Sequence, residues 1–140
     1  MKGFLCKVCG HIELDSIPDK CPVCFSPSTA FSEQDVVKTI KDEGPKEKHV
    51  PVIAVNKKCK LIPAGCTEAQ AKIGEAIHPM EPAHFIQWAD FYVDMKWVAR
   101  AHLTPECNPA ASAFLKAASG TLTVIEKCNI HGHWIGEMKL

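Results

Sequence analysis

The sequence predicts an all-β chain in which a small metal-knuckle domain precedes a β-sandwich, and three observations carry that prediction. Four of the eight cysteines, Cys6, Cys9, Cys21 and Cys24, open the chain as two C-x2-C pairs. Beyond His49 the apolar pattern shifts to period two. Short β-branched runs there are separated by Pro and Gly, the habit of an antiparallel sandwich.

Residues 1–31 hold the paired cysteines together with Gly10, Pro18, Pro22 and Pro27. They carry too few large apolar side chains to fill a core, so a metal must hold this piece together. Residues 32–46 are charged and polar around a Gly44-Pro45 break and read as a linker, with a short helical turn over Asp35 to Ile40. Residues 47–140 form the second domain. Within it Phe91, Val93, Met95 and Trp97 alternate with Asp94 and Lys96, which predicts a strand running through to Val98. Val50 to Val55 and Thr121 to Ile125 also read as strands. Propensity alone would make helices of the Ala-rich segments Thr67 to Ala76 and Ala110 to Ala118.

Bulk composition excludes several functions. At 140 residues and 15.4 kDa the chain is too short for a Rossmann or barrel enzyme. Sixteen basic and sixteen acidic side chains cancel, leaving no basic surface for a nucleic acid. No run approaches the ~18 apolar residues of a membrane span, and the N-terminus is too poor in apolar residues for a signal peptide. The expected address is therefore the cytoplasm, with no membrane partner. In that reducing setting the cysteines indicate metal or reactive thiols. Cys59, Cys66 and Cys107 are expected to be free buried thiols, with a regulatory pair as the second reading.

Two residues between ligands let one tight turn place both thiolates on one ion, and two such knuckles complete a tetrahedron. Tetrahedral sulfur suits zinc and iron alike. Cys6-Lys7-Val8-Cys9-Gly10 and Pro18-Asp19-Lys20-Cys21-Pro22-Val23-Cys24, followed by Pro27 and Phe31, resemble the small rubredoxin domain attached to rubrerythrins. The resemblance implies a mononuclear Fe(Cys)4 centre for one-electron transfer, with structural zinc as the alternative.

Four of the seven histidines keep unusual company. His78 and His84 flank a loop stiffened by Pro79 and Pro82, and Cys128-x2-His131 places a thiolate and an imidazole within reach of one ion. Glu47-Lys48-His49-Val50-Pro51, His78-Pro79-Met80, His84-Phe85-Ile86 with Trp88, and Cys128-Asn129-Ile130-His131-Gly132 with Trp134 resemble the motif set of the superoxide reductases, the neelaredoxin and desulfoferrodoxin family. The resemblance covers nearly the whole second domain.

It implies an immunoglobulin-like, seven-stranded sandwich in which the Ala-rich segments are strands and loops. It also implies a square-pyramidal iron with His49, His78, His84 and His131 equatorial and Cys128 axial. The sixth position stays open for superoxide, which is reduced by one electron to hydrogen peroxide. Lys48 would attract the anion and orient a proton-donating water, and Glu47 would close over the oxidised iron. Backbone N–H groups of Ile130 and His131 would tune the thiolate. The implied setting is an oxygen-sensitive prokaryote, with reduced rubredoxin or a similar protein as electron donor and a homo-oligomer as the assembly. His11, His102 and His133 match no ligand position and are expected at the surface or behind the ligands. One departure from the family stands out. Two-domain desulfoferrodoxins carry an adjacent second cysteine pair, whereas here it is the spaced Cys21-x2-Cys24, so their N-terminal dimer contacts do not carry over. The alternative function is an iron electron carrier with no small-molecule substrate, which would want a saturated metal rather than an open one.

Overall fold

Two tight backbone reversals begin the chain's architecture. Gly10 and Phe25 sit at corresponding places after the two C-x2-C pairs, both with left-handed φ, +77° and +63°. Each closes its knuckle through an amide returned to the first cysteine, Gly10 N–H to Cys6 O and Phe25 N–H to Cys21 O, both at 2.9 Å. The computed structural model describes residues 1–140. In chain order its elements are β1 (Lys2–Cys6), β2 (Ile12–Glu13), β3 (Phe31–Asp35), β4 (Val37–Lys38), α1 (Lys46–His49), β5 (Pro51–Asn56), β6 (Thr67–Ile73), β7 (Ile86–Val93), β8 (Lys96–His102), β9 (Ala110–Leu115), β10 (Thr121–Cys128) and β11 (Gly132–Lys139). No helix is long and apolar enough to cross a membrane.

The N-terminal sheet has the order β2-β1-β3. Beyond it, β11-β10-β7-β8 faces β5-β6-β9, the expected seven-stranded sandwich, and β4 adds a parallel edge to β11. Val37 and Lys38 are thus extended, where a helical turn was expected over Asp35 to Ile40. A two-residue parallel pairing with a strand almost a hundred positions away leaves no local signal.

The Ala-rich segments are strands as well. Thr67, Ala69, Ala71 and Ile73 are buried in alternation along β6, and Ala69, Ala71 and Ala113 pack with Phe91, Leu115, Leu122 and Val124 between the sheets. Small side chains here make room for Phe91, and that burial outweighs the helix preference of alanine.

The strand expected through Phe91 to Val98 is instead a hairpin, with Asp94 and Met95 at φ +47° and +67°. Asp-Met lacks the glycine that usually marks such a turn, so the sequence hid it. The Asp94 carboxylate secures the turn by accepting the Thr121 N–H at 2.9 Å.

β7 is buried on both faces, because the N-terminal unit packs on the outer side of the larger sheet. Ile12 and Val37 meet Trp88, Tyr92, Ile125 and Ile135 there. A polar lock crosses the same seam. His11, expected at the surface or behind the ligands, is fully buried and lies 3.0 Å from Asp90 through Nδ1. Arg100 grips the same carboxylate twice, at 2.6 and 2.7 Å, and also donates to Cys9 O at 3.2 Å. Tyr92 donates its hydroxyl to Ile12 O at 2.7 Å.

The remaining cysteines are not the free buried thiols expected first. Cys59 and Cys66 are joined as a disulfide across the β5–β6 loop, and Cys107 is free but exposed. Only seven positions apart on one surface loop, Cys59 and Cys66 meet without disturbing either sheet.

Candidate metal centres

All nine residues singled out as metal ligands converge into two clusters, Cys6, Cys9, Cys21 and Cys24 in one and His49, His78, His84, Cys128 and His131 in the other. In the first, Cys6 Sγ lies 3.7 Å from Cys24 Sγ and Cys9 Sγ lies 3.6 Å from Cys21 Sγ. A tetrahedron with metal–sulfur bonds of ~2.3 Å has edges of about 3.8 Å, so the cradle fits a single ion. Burial raises the Cys9 and Cys21 thiols, while the Ser26 hydroxyl, 3.2 Å from Cys24, brings that thiol down to about 6.

The second cluster is assembled from four places in the chain. α1 supplies His49 from its last residue, and the turn after β6 supplies His78. These two segments are tied by the Ala76 N–H donating to Glu47 O at 2.9 Å. Gly74, at φ +84°, permits the close approach, since a β-carbon there would overlap the Lys48 carbonyl. His84 comes from the turn before β7, where Glu81 and His84 exchange backbone hydrogen bonds at 3.0 Å. Cys128 and His131 come from the β10–β11 turn. The pairing of β10 with β7 slips between Lys127 and Cys128, a bulge beside the site.

The imidazoles form a ring in the order His49, His78, His84, His131. Neighbouring rings stand edge to face with centroids 4.6–5.0 Å apart, and His49 and His84 face across the ring at 6.4 Å. That is a square. Cys128 Sγ approaches it 3.7 Å from His131 Nδ1, and no sixth His, Cys, Asp or Glu joins the cluster.

Tautomers are set from behind. His49 Nδ1 lies 2.8 Å from Pro45 O and His78 Nδ1 lies 2.6 Å from Pro79 O, so each Nδ1 carries its proton outward. Their Nε2 lone pairs, 3.1 Å apart, are left turned toward one another. His84 Nε2 is buried with no hydrogen-bond partner. Burial pushes the pKa of His49 down and that of His78 to about 4, and burial with the neighbouring His84 and Lys38 also lowers His131. Neutral imidazoles with orphaned lone pairs are what a metal requires. Four nitrogens and one thiolate suit a borderline metal such as iron.

Burial raises the Cys128 thiol, opposed by the backbone N–H groups of His131 and Ile130 as the motif implied. The His131 N–H reaches Sγ at 3.4 Å.

The model for the desulfoferrodoxin family matches residues 41–137, and that for the rubredoxin-like domain of rubrerythrin matches residues 4–32. The chain belongs to the desulfoferrodoxin family. The desulfoferrodoxin of Syntrophotalea carbinolica is 34% identical over 139 residues, spanning 98% of this chain and 96% of its own. A superoxide reductase of Pyrococcus abyssi is 34% identical over 106 residues, spanning 67% of this chain and 88% of its own. Among solved structures, the reduced superoxide reductase (neelaredoxin) of Archaeoglobus fulgidus superimposes with a TM-score of 0.60 at 31% identity, covering 76% of this chain and 98% of that one.

Around the ligands stand further residues to which no motif assigns a role. Asn129 accepts the Phe85 N–H at 2.9 Å and donates to Ala83 O at 3.0 Å, clasping the His84 turn to the Cys128 turn. Lys38 lies 5.4 Å from the centre of the Trp134 ring, which stacks on His49 at 5.3 Å. An asparagine beside a ligand carries a weak local signal. Lys38 carries none, because only the β4–β11 pairing brings it there. Lys48 and Glu47 are exposed on α1 directly before His49, and Glu47 stands outside the ligand cluster. Of the other histidines, expected at the surface or behind the ligands, His102 is exposed and His133 is buried against Trp88.

Proposed function

We propose that this chain is a superoxide reductase, reducing superoxide by one electron to hydrogen peroxide without forming dioxygen. The observation that carries this is the square of four imidazoles approached by a single thiolate and no sixth side-chain donor. A pure electron carrier would want that last position filled. Iron held by His49, His78, His84, His131 and Cys128 would supply the electron and an open position for the anion.

The chain's own residues supply the rest. Superoxide must gain one electron and two protons to leave as peroxide. Lys48, an exposed ammonium beside His49, attracts the anion and orients a water as proton donor, a local field in a chain of zero formal charge. The His131 and Ile130 amides partly neutralise the thiolate and so set how strongly it donates. Glu47, on the same exposed turn, would cover the site between turnovers. Residues 1–31 act as a one-electron centre and residues 47–140 as the reductase unit.

The deciding experiment is anaerobic. Reduced protein is exposed to a known pulse of superoxide, and peroxide formed per superoxide consumed is counted. A ratio of one is expected, and one peroxide per two superoxides would mean dismutation and overturn the reading. Replacing Cys128→Ser is expected to abolish peroxide formation while leaving the N-terminal centre's absorption intact; full activity would overturn the assignment of Cys128 as a ligand.

A further inference from the structure

A run of buried and half-buried aromatic and cationic side chains leads from the first cluster toward the second along the outer face of the larger sheet. Arg100 donates to the carbonyl of Cys9, a thiolate donor of the first cluster, and stacks its guanidinium 3.9 Å from the centre of the Trp88 ring. Gly10, the residue after Cys9, also meets that ring, its β-position 3.7 Å from Trp88 Cζ2. Trp88 in turn contacts His133, with centroids 5.5 Å apart. His133 stands two residues from His131, a donor of the second cluster. Lys127, paired with both Trp88 and His133, immediately precedes Cys128.

Packing alone accounts poorly for His133. It is 6% exposed, yet its Nε2 has no partner, an arrangement that costs stability compared with an apolar ring. Buried aromatic rings packed side by side, Trp88 and His133 with centroids 5.5 Å apart, suit electron tunnelling.

We propose that Trp88 and His133 form the electron path between the clusters, which makes the N-terminal centre the immediate donor to the reductase site. The inference rests on reading both clusters as one-electron iron centres. One electron crosses, so the cysteine-bound iron passes from ferrous to ferric and the imidazole-bound iron from ferric to ferrous. No bond or proton is exchanged between them. A small reduced electron-transfer protein recharges the first centre at its exposed rim, where Val8 and Phe25 are 67% and 74% exposed.

The test needs no superoxide, so its failure is separable from failure of the reductase reading. Fully oxidised, iron-loaded protein receives less than one equivalent of electrons from a flash-generated flavin radical, and the visible bands of both centres are followed. The expected result is bleaching of the cysteine centre, then its recovery as the imidazole–thiolate centre bleaches, at a rate independent of protein concentration. Trp88→Phe and His133→Leu are each expected to slow that exchange by about tenfold with both reduction potentials unchanged. A rate proportional to protein concentration, an unchanged rate in both variants, or a cysteine centre with no redox response would overturn the proposal. Iron content and unfolding midpoints measured on the same samples confirm that each variant is intact. If one fails to fold, the other decides.

Discussion

At the scale of single residues, the site divides into groups that touch the metal position and groups that hold those in place. Lys48 belongs to neither, and in the proposed function it acts at a distance through charge. Lys48→Ala is expected to slow the second-order reaction with superoxide by about tenfold at low salt and to flatten its ionic-strength dependence. Stopped-flow rates across a salt series check this, and an unchanged slope would remove the steering role. Asn129 is a positioning residue. Its side chain spans from the Cys128 turn to the backbone on both sides of His84, at Ala83 and Phe85. Asn129→Ala is expected to loosen iron binding by about 10–100-fold, since groups behind the ligands commonly carry that much, while leaving the cysteine centre loaded. Competition with a chelator, read at the absorption of each centre, measures both in one sample.

At the scale of elements, the informative places are those where local preference and burial disagree. β6 and β9 are extended although alanine favours helix, because their alternate side chains close the sandwich over Phe91. The β7–β8 turn places Met95 at φ +67°, a conformation that costs a side chain about 1 kcal/mol. Met95→Gly is therefore expected to raise stability by about 1 kcal/mol, read from the denaturant midpoint. A fall would mean that the half-exposed methionine contributes packing that outweighs the strain. In the β10–β11 turn local and global demands agree. Gly132 takes φ +82° immediately after His131, and the motif legible in the sequence is the motif found in space.

At the scale of the molecule, the N-terminal unit and the sandwich are joined by an apolar seam with a buried ionic lock. Burial alone would raise the Asp90 carboxyl, but Arg100 and His11 outweigh it and hold its pKa below the usual range. A depressed carboxylate contributes stability that is present above its unfolded pKa and is lost as pH falls through the folded value. The lock is thus expected to hold at neutral pH and weaken below about pH 4. Asp90→Asn should cost about 3–5 kcal/mol by stranding the buried guanidinium, and should remove that part of the acid dependence. Unfolding followed across pH in both proteins checks the sign and the size. The two cysteine knuckles and much of the strand-rich second half were legible as patterns within a few residues, and the histidine and Cys128 ligands through short motifs that resemble the family's. Only the tertiary structure decided the rest. The docking of His11 on Asp90, the approach of Lys38 to Trp134, the clasp of Asn129 and the contact from Cys9 through Trp88 to His133 join residues far apart in the chain. Each depends on which face of a strand is covered, a matter of long-range packing that no local pattern of residues records.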